Sequence, residues 1–184
     1  ALIPLEIQYA DYAIWQRKYL TKEILDKKLD YWKKKLDSVP PVQLPIDFKR
    51  PSVQGTRGAA YGFNIDKSLT QKVQELSQKN GATMFMTLLA AFNVLLNKYS
   101  GQSDVCVGSP IAGRQQEELE DLIGFFVNTI AMRREVKNEE TFIQLLQQVR
   151  KITMDAYENQ EVPFEKIVDS VSKQRDMSRS PLFQ

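Results

Sequence analysis

The chain has 184 residues, a net charge of +2, 42% apolar and 26% charged residues, enough for one domain of ordinary size that buries about 70% of its unfolded surface. It contains no His and a single Cys, Cys106. That composition excludes an internal disulfide, a zinc site, and a Ser-His-Asp or Cys-His nucleophile assembled within these residues.

Residues 1–20 open with an extended, Pro-containing approach and lead into a helix starting near Gln8 or Asp11. Tyr12, Trp15 and Tyr19 share one face of it. Thr21 is placed to cap a second helix, with Leu25, Leu29, Trp32 and Leu36 as its apolar stripe and Lys27, Lys28, Lys33 and Lys34 on its wet side. Residues 38–57 hold four prolines and no periodicity, and Leu44, Ile46 and Phe48 predict a strap laid over a surface. Tyr61, Phe63 and Ile65 alternate within residues 58–65, which predicts a strand.

Asp66 or Ser68 is expected to cap a helix carrying Leu69, Val73 and Leu76, closed by Asn80-Gly81. Thr83 caps the next, whose stripe of Phe85, Leu88, Leu89, Phe92, Leu95, Leu96 and Tyr99 marks it as the core helix. Residues 104–110 are a short apolar run suited to a strand buried on both faces. Glu117, Glu118, Glu120 and Asp121 form an acidic patch, read as a solvated loop or short helix.

Residues 120–134 pass from a turn at Gly124 into a strand of β-branched and aromatic residues that is interrupted by Asn128. A buried amide without partners costs about 1–3 kcal/mol. Asn128 therefore either ties down a neighbouring loop or supplies a polar handle to a channel. Thr141 and Gln144 read as a capping box, opening a helix that buries Phe142, Leu145, Leu146, Val149 and Ile152. Pro163 is expected at the first position of a last helix carrying Phe164, Ile167, Val168 and Val171. The order of strands and helices is α/β.

Three exclusions follow for partners. The only basic triplet, Lys33, Lys34 and Lys35, is a solvated helix face, not the basic stripe that nucleic acid needs. No apolar run approaches a membrane span, and the opening residues lack the charged start and cleavage site of a signal peptide. A lone cysteine fits a reducing cytoplasm. The apolar end at Pro181, Leu182 and Phe183 carries no closing signal, which suggests a chain that continues.

Four stretches in order resemble motifs of the condensation domains of non-ribosomal peptide synthetases. YADYAIWQ at residues 9–16 is similar to that family's YxDYAxW. IGFFVNT at 123–129, with Arg133 after it, resembles IGxFVNT followed by Arg. NQEVPFE at 159–165 resembles HQDxPFE, and RDMSRSPL at 175–182 resembles RDxSRNPL. GSPIAGR at 108–114 looks like the segment that precedes the second motif. Asn159, Glu161 and Ser180 depart mildly from the family pattern. The family's HHxxxDG signature is not in this chain, which has no His.

The resemblance implies an α/β, chloramphenicol-acetyltransferase-like lobe with a mixed sheet packed by helices. Residues 1–184 would be the C-terminal subdomain of a condensation domain, with the catalytic His upstream in the missing N-terminal half. The implied reaction joins aminoacyl or peptidyl thioesters tethered by phosphopantetheine to donor and acceptor carrier proteins, on an assembly line that includes an adenylation domain. No cofactor is expected to be bound by the chain itself. The implied setting is the bacterial cytoplasm, and the isolated fragment is expected to be inactive. Alternatives are an epimerisation or cyclisation relative and a non-catalytic module that docks carriers.

The resemblance also assigns roles. Trp15 is a packing residue near the lobe junction or a substrate contact. Asn128 orients a tunnel-side loop or bonds the donor acyl group. Gln160 and Glu161 cap between two helices. Arg175 and Asp176 form an ion pair that fixes the wall facing the catalytic loop. The segment that reaches to the other lobe is residues 110–125 or lies beyond Gln184.

Overall fold

Short polar side chains at the helix starts divide the chain as the sequence predicts. The structure, a computed structural model, describes residues 4–172 and 178–183. Helix α1 (Tyr9–Tyr19) follows Gln8, whose backbone N–H donates to the Asp11 carboxylate at 2.9 Å. Thr21, Asp66, Thr83 and Thr141 accept from first-turn N–H groups of α2 (Lys22–Leu36), α3 (Lys67–Lys79), α4 (Met84–Ser100) and α5 (Phe142–Glu158). Each satisfies a donor that the helix itself leaves open. At α5 the Gln144 side chain completes the box, accepting from Thr141 N at 2.8 Å. Helix α6 (Phe164–Val171) begins one residue after Pro163, not at it.

Strands β1 (Asp104–Ile111) and β2 (Asn128–Glu135) pair antiparallel, from Asp104 opposite Glu135 to Ile111 opposite Asn128. They are joined through a 3-10 turn, Glu117–Leu119. Helix α5 lies on β2, α4 packs on α5 and β1, and α2 packs on α6. Trp32, Val105, Ile130, Leu146, Val149 and Ile167 are fully buried in the resulting core. The expected α/β architecture is observed, but the sheet, expected to be mixed, is among the described residues this one antiparallel pair. Arg133 ties α2 to the sheet. It grips Asp104 with Nε and Nη2, at 3.0 and 2.6 Å, and donates from Nη1 to Asp37 O at 2.6 Å.

Four further expectations are corrected. Residues 58–65 form no strand, and Tyr61 and Phe63 are 91% and 74% exposed. Alternation selects a face, but a strand also needs a neighbour to take its N–H and C=O groups, and none of the described residues pairs with it. The strap of residues 38–57 is anchored at its start, and its apolar middle is not laid over a surface. Val42 is buried, and Gln102 accepts from Gln43 N at 2.6 Å and donates to Pro41 O at 3.2 Å. Leu44, Ile46 and Phe48 are exposed.

Helix α4 is apolar nearly all round, and the face it buries is rotated from the predicted stripe. Met86, Leu89, Ala90, Asn93 and Leu96 are buried, while Phe85, Leu88, Phe92, Leu95 and Tyr99 are exposed. Small Ala90, 0% exposed, lets the helix approach its neighbours closely, which a stripe of Phe and Leu does not. Finally, the strand predicted within residues 120–134 begins only at Asn128; Phe126 is buried in a separate cluster and Val127 is exposed.

Leu146→Ala is expected to cost about 2–5 kcal/mol in urea unfolding, because it opens a cavity at a fully buried site. Phe92→Ala is expected to cost less than about 1 kcal/mol. A larger loss at Phe92 than at Leu146 would restore the predicted stripe as the core face.

Candidate substrate cleft

A cleft of about 350 Å³ is walled by α1, by parts of residues 113–129 and by the turn at 160–165. The α1 wall is aromatic because Tyr12, Trp15 and Tyr19 are spaced three and four apart. Trp15 stacks on Tyr19 with centroids 5.1 Å and planes 8° apart, and tilts against Tyr12 at 5.8 Å. It is 40% exposed, so it faces the cleft instead of filling the core.

The second wall is a small core of its own. Phe126, Leu119 and Leu122 are buried, with Ile7 and Tyr12 packed on them. Tyr9 meets the Phe126 ring edge-on at 5.2 Å and donates its hydroxyl to Phe125 O at 3.1 Å. The Arg114 guanidinium covers the Phe126 ring at 4.1 Å and donates to the carbonyls of Leu119 and Glu120. Gly113 makes this packing possible. Its φ is +68°, and a Cβ there would lie 1.9 Å from Phe126 O, so conformation and space both require glycine. At Gly124 a Cβ would fall 2.2 Å from Tyr9 Cδ2.

Asn128 joins the second wall to the third. Its Nδ2 donates to the carbonyls of Gln160 and Val162, both at 2.8 Å, and its Oδ1 accepts from Phe164 N at 3.1 Å. Both donors and one acceptor site of the amide are therefore engaged by the turn. The Gln160 side chain donates to Tyr157 O at 2.8 Å, capping the end of α5. Glu161 pairs with Lys28 at 2.8 Å instead of capping. Arg175 and Asp176 lie outside the described residues. Phe183, just past the fourth motif, reaches the third wall: its ring lies 5.3 Å from that of Phe164 and fills the space a Cβ at Gly108 would take.

Among the described residues the lining contains the carboxylates of Glu161 and Glu165 but no Lys, Arg, His or Cys. Burial, and then the neighbouring Tyr9, push the Tyr12 phenol up, which keeps it a protonated donor. No group of three or more His, Cys, Asp and Glu is placed to hold a metal among the described residues. Rings and amides of this kind can stack on and hydrogen-bond a bound molecule. They include no His, the side chain that exchanges protons most readily near neutral pH.

The sequence reading missed Lys28, placed on the wet side of α2. Lys28 is half-buried and lies four residues before Trp32, hence on the same helical face. That spacing was the available signal. It also missed Arg114 and Tyr9 as wall-builders: both lie in the quoted motif stretches, but their packing on Phe126 is a tertiary contact that those stretches do not specify.

A family model described as the condensation domain matches residues 2–184. The chain belongs to the condensation-domain family. It is 51% identical over all 184 residues to a linear gramicidin synthase of Brevibacillus parabrevis, and spans 4% of that protein's length. To bacitracin synthase 2 of Bacillus licheniformis it is 46% identical over 183 residues, 99% of this chain and 7% of that protein. Among solved structures it resembles holo-AB3403, a four-domain nonribosomal peptide synthetase bound to AMP and glycine. The TM-score is 0.87 at 32% identity, covering 92% of this chain and 13% of that one. It also resembles the X-domain from teicoplanin biosynthesis, solved alone and in complex with OxyB. For the domain alone the TM-score is 0.90 at 26% identity, covering 100% of this chain and 42% of that one. The fold is thus the chloramphenicol-acetyltransferase-like α/β fold of these domains. Among the described residues no single helix is long and apolar enough to cross a membrane; α3 and α4 pass that test only jointly, across a 103° bend.

Gly113→Ala is expected to destabilise the protein by about 1–3 kcal/mol, through the strained φ and the clash with Phe126 O, read as a lowered melting temperature. An unchanged melting temperature would show that the 113–126 contact does not hold this wall. Cys106 is buried beneath Arg133 and Asp104, and burial pushes its thiol up to about 12. It should resist thiol reagents at pH 8 until the chain unfolds; rapid labelling of the folded protein would contradict that burial.

Proposed function

We propose that residues 1–184 are the C-terminal part of a condensation domain and form one wall of its substrate tunnel. The observation that carries this reading is the meeting of three motif stretches, 9–16, 123–129 and 159–165, around one cleft whose lining is built for positioning. In the reaction, the amine of an acceptor aminoacyl thioester attacks the carbonyl of a donor thioester. The new C–N bond forms, the C–S bond breaks, and the donor's phosphopantetheine thiol leaves with the proton. Holding two tethered reactants in attack geometry is worth roughly 7–11 kcal/mol.

In this reading Trp15 and Asn128 shape the tunnel and Gln160 fixes its turn. Proton transfer belongs to a His in the N-terminal half, since this chain has none. The partners are that half, the donor and acceptor carrier proteins with their phosphopantetheine, and an adenylation domain of the same assembly line. The chain binds no cofactor itself, and its setting is the bacterial cytoplasm, in keeping with its Brevibacillus and Bacillus relatives.

A second reading, a module that docks partners without catalysis, is supported by the likeness to the teicoplanin X-domain, which was also solved bound to OxyB. One experiment separates the two. This chain, alone and joined to its upstream half, is given aminoacyl-loaded donor and acceptor carriers, and amide product is measured. The condensation reading predicts product from the joined protein and none from the chain alone. Product from the chain alone would contradict the division of roles. A joined protein that binds carriers and yields nothing would favour docking.

A further inference from the structure

The turn at residues 158–164 is held from two sides in alternation. Asn128, on β2, engages Gln160 O, Val162 O and Phe164 N. Helix α2 takes residues between and before them. The Lys28 ammonium donates to Glu158 O at 2.7 Å and to the Glu161 carboxylate at 2.8 Å, and Trp32 Nε1 donates to Asn159 O at 3.0 Å. Lys28 and Trp32 are one helical turn apart, so a single face of α2 meets three acceptors of the turn. Glu158 is the last residue of α5, where carbonyls lack partners and a cation is favoured. The side chains of Lys28 and Glu161 retain only 15% and 22% exposure. The pair is therefore screened less than a surface ion pair, and loss of one partner leaves a half-buried charge uncompensated. Glu161 lines the cleft and Lys28 does not.

We propose that Lys28 is a positioning residue for the condensation reaction. It acts from outside the cleft, through Glu161 and the end of α5, to fix the wall that Gln160, Glu161 and Phe164 present to the reactants, and it neutralises the Glu161 carboxylate there. The proposal rests on the condensation reading for its effect on rate. Its geometric part, the hold on the turn, stands without substrate.

The test uses the whole synthetase that contains this chain, with its own carriers, comparing wild type, Lys28→Met, Lys28→Arg and the double variant Lys28→Met with Glu161→Gln. Two quantities are read: the rate of amide formation, and hydrogen–deuterium exchange of peptides covering residues 155–166. Lys28→Met is expected to lower kcat about tenfold to a hundredfold, the loss a displaced wall causes, with KM for the acceptor carrier changed less than about threefold. Exchange should rise across 158–164 while the middle of α5 stays protected. Lys28→Arg, which keeps the charge and its donors, is expected to recover at least half of the lost rate on a logarithmic scale; the double variant, which removes the stranded carboxylate but does not restore the hold, is expected to recover less than Lys28→Arg. A general folding defect would raise exchange in the middle of α5 as well. Wild-type rate and exchange in Lys28→Met would overturn the proposal and leave the condensation reading intact. So would a loss in Lys28→Arg equal to that in Lys28→Met. No product from wild type, with exchange raised in Lys28→Met, would remove the condensation reading and the rate role with it, and keep only the hold on the turn.

Discussion

The side-chain amide of Asn128 is the constraint on which the cleft depends. It stands at the first position of β2, opposite Ile111 at the end of β1, where the pairing stops. From there it takes two carbonyls and one N–H of a turn more than thirty residues away. An aspartate there would offer no donor to the two carbonyls, and a leucine would leave all three groups without these partners. The sheet is anchored in the core, where Val105, Cys106, Ile130, Ala131 and Met132 are buried and α5 and α4 pack on it, and Asn128 extends that anchoring to a turn that has no regular structure of its own. Position in the cleft is thus inherited from the core.

The wall formed by Phe126 works by the opposite means. Phe126 is not in the sheet; it sits in a small satellite core with Leu119 and Leu122, and its location is set by close approach. Gly113 and Gly124 remove the two Cβ atoms that would push it and Tyr9 away. Arg114 then covers the ring and ties down the 3-10 turn. Few apolar contacts hold this wall, so it belongs to the part of the molecule that opens at lower cost than the main core.

Much of this was legible in the sequence, and the failures have physical causes. The helix starts were readable because a cap is a local event: Thr21, Thr83 and Thr141 need only the next few residues. Asn128 stood out because an amide in an apolar run demands partners, although the sequence did not say which. The face of α4 was not readable, because a helix apolar on most sides does not encode which side its neighbours approach; Ala90, small and fully buried, decided it. Tyr61 and Phe63 carry the alternation of a strand, but pairing is a property of two segments. Lys28 was misplaced because a lysine is solvated by default, and its burial follows from Glu161 and Glu158, which lie more than a hundred residues on.

Asn128→Ala offers the most direct measurement, through a structure of the variant determined alongside wild type. If the amide extends the sheet's anchoring to the turn, the turn at 160–164 moves away from β2 and the cleft changes shape, while the β1–β2 register and the α5 core superpose on wild type. A turn that stays in place without the Asn128 side chain would contradict the account, and would mean that α2, through Lys28 and Trp32, suffices to hold that wall.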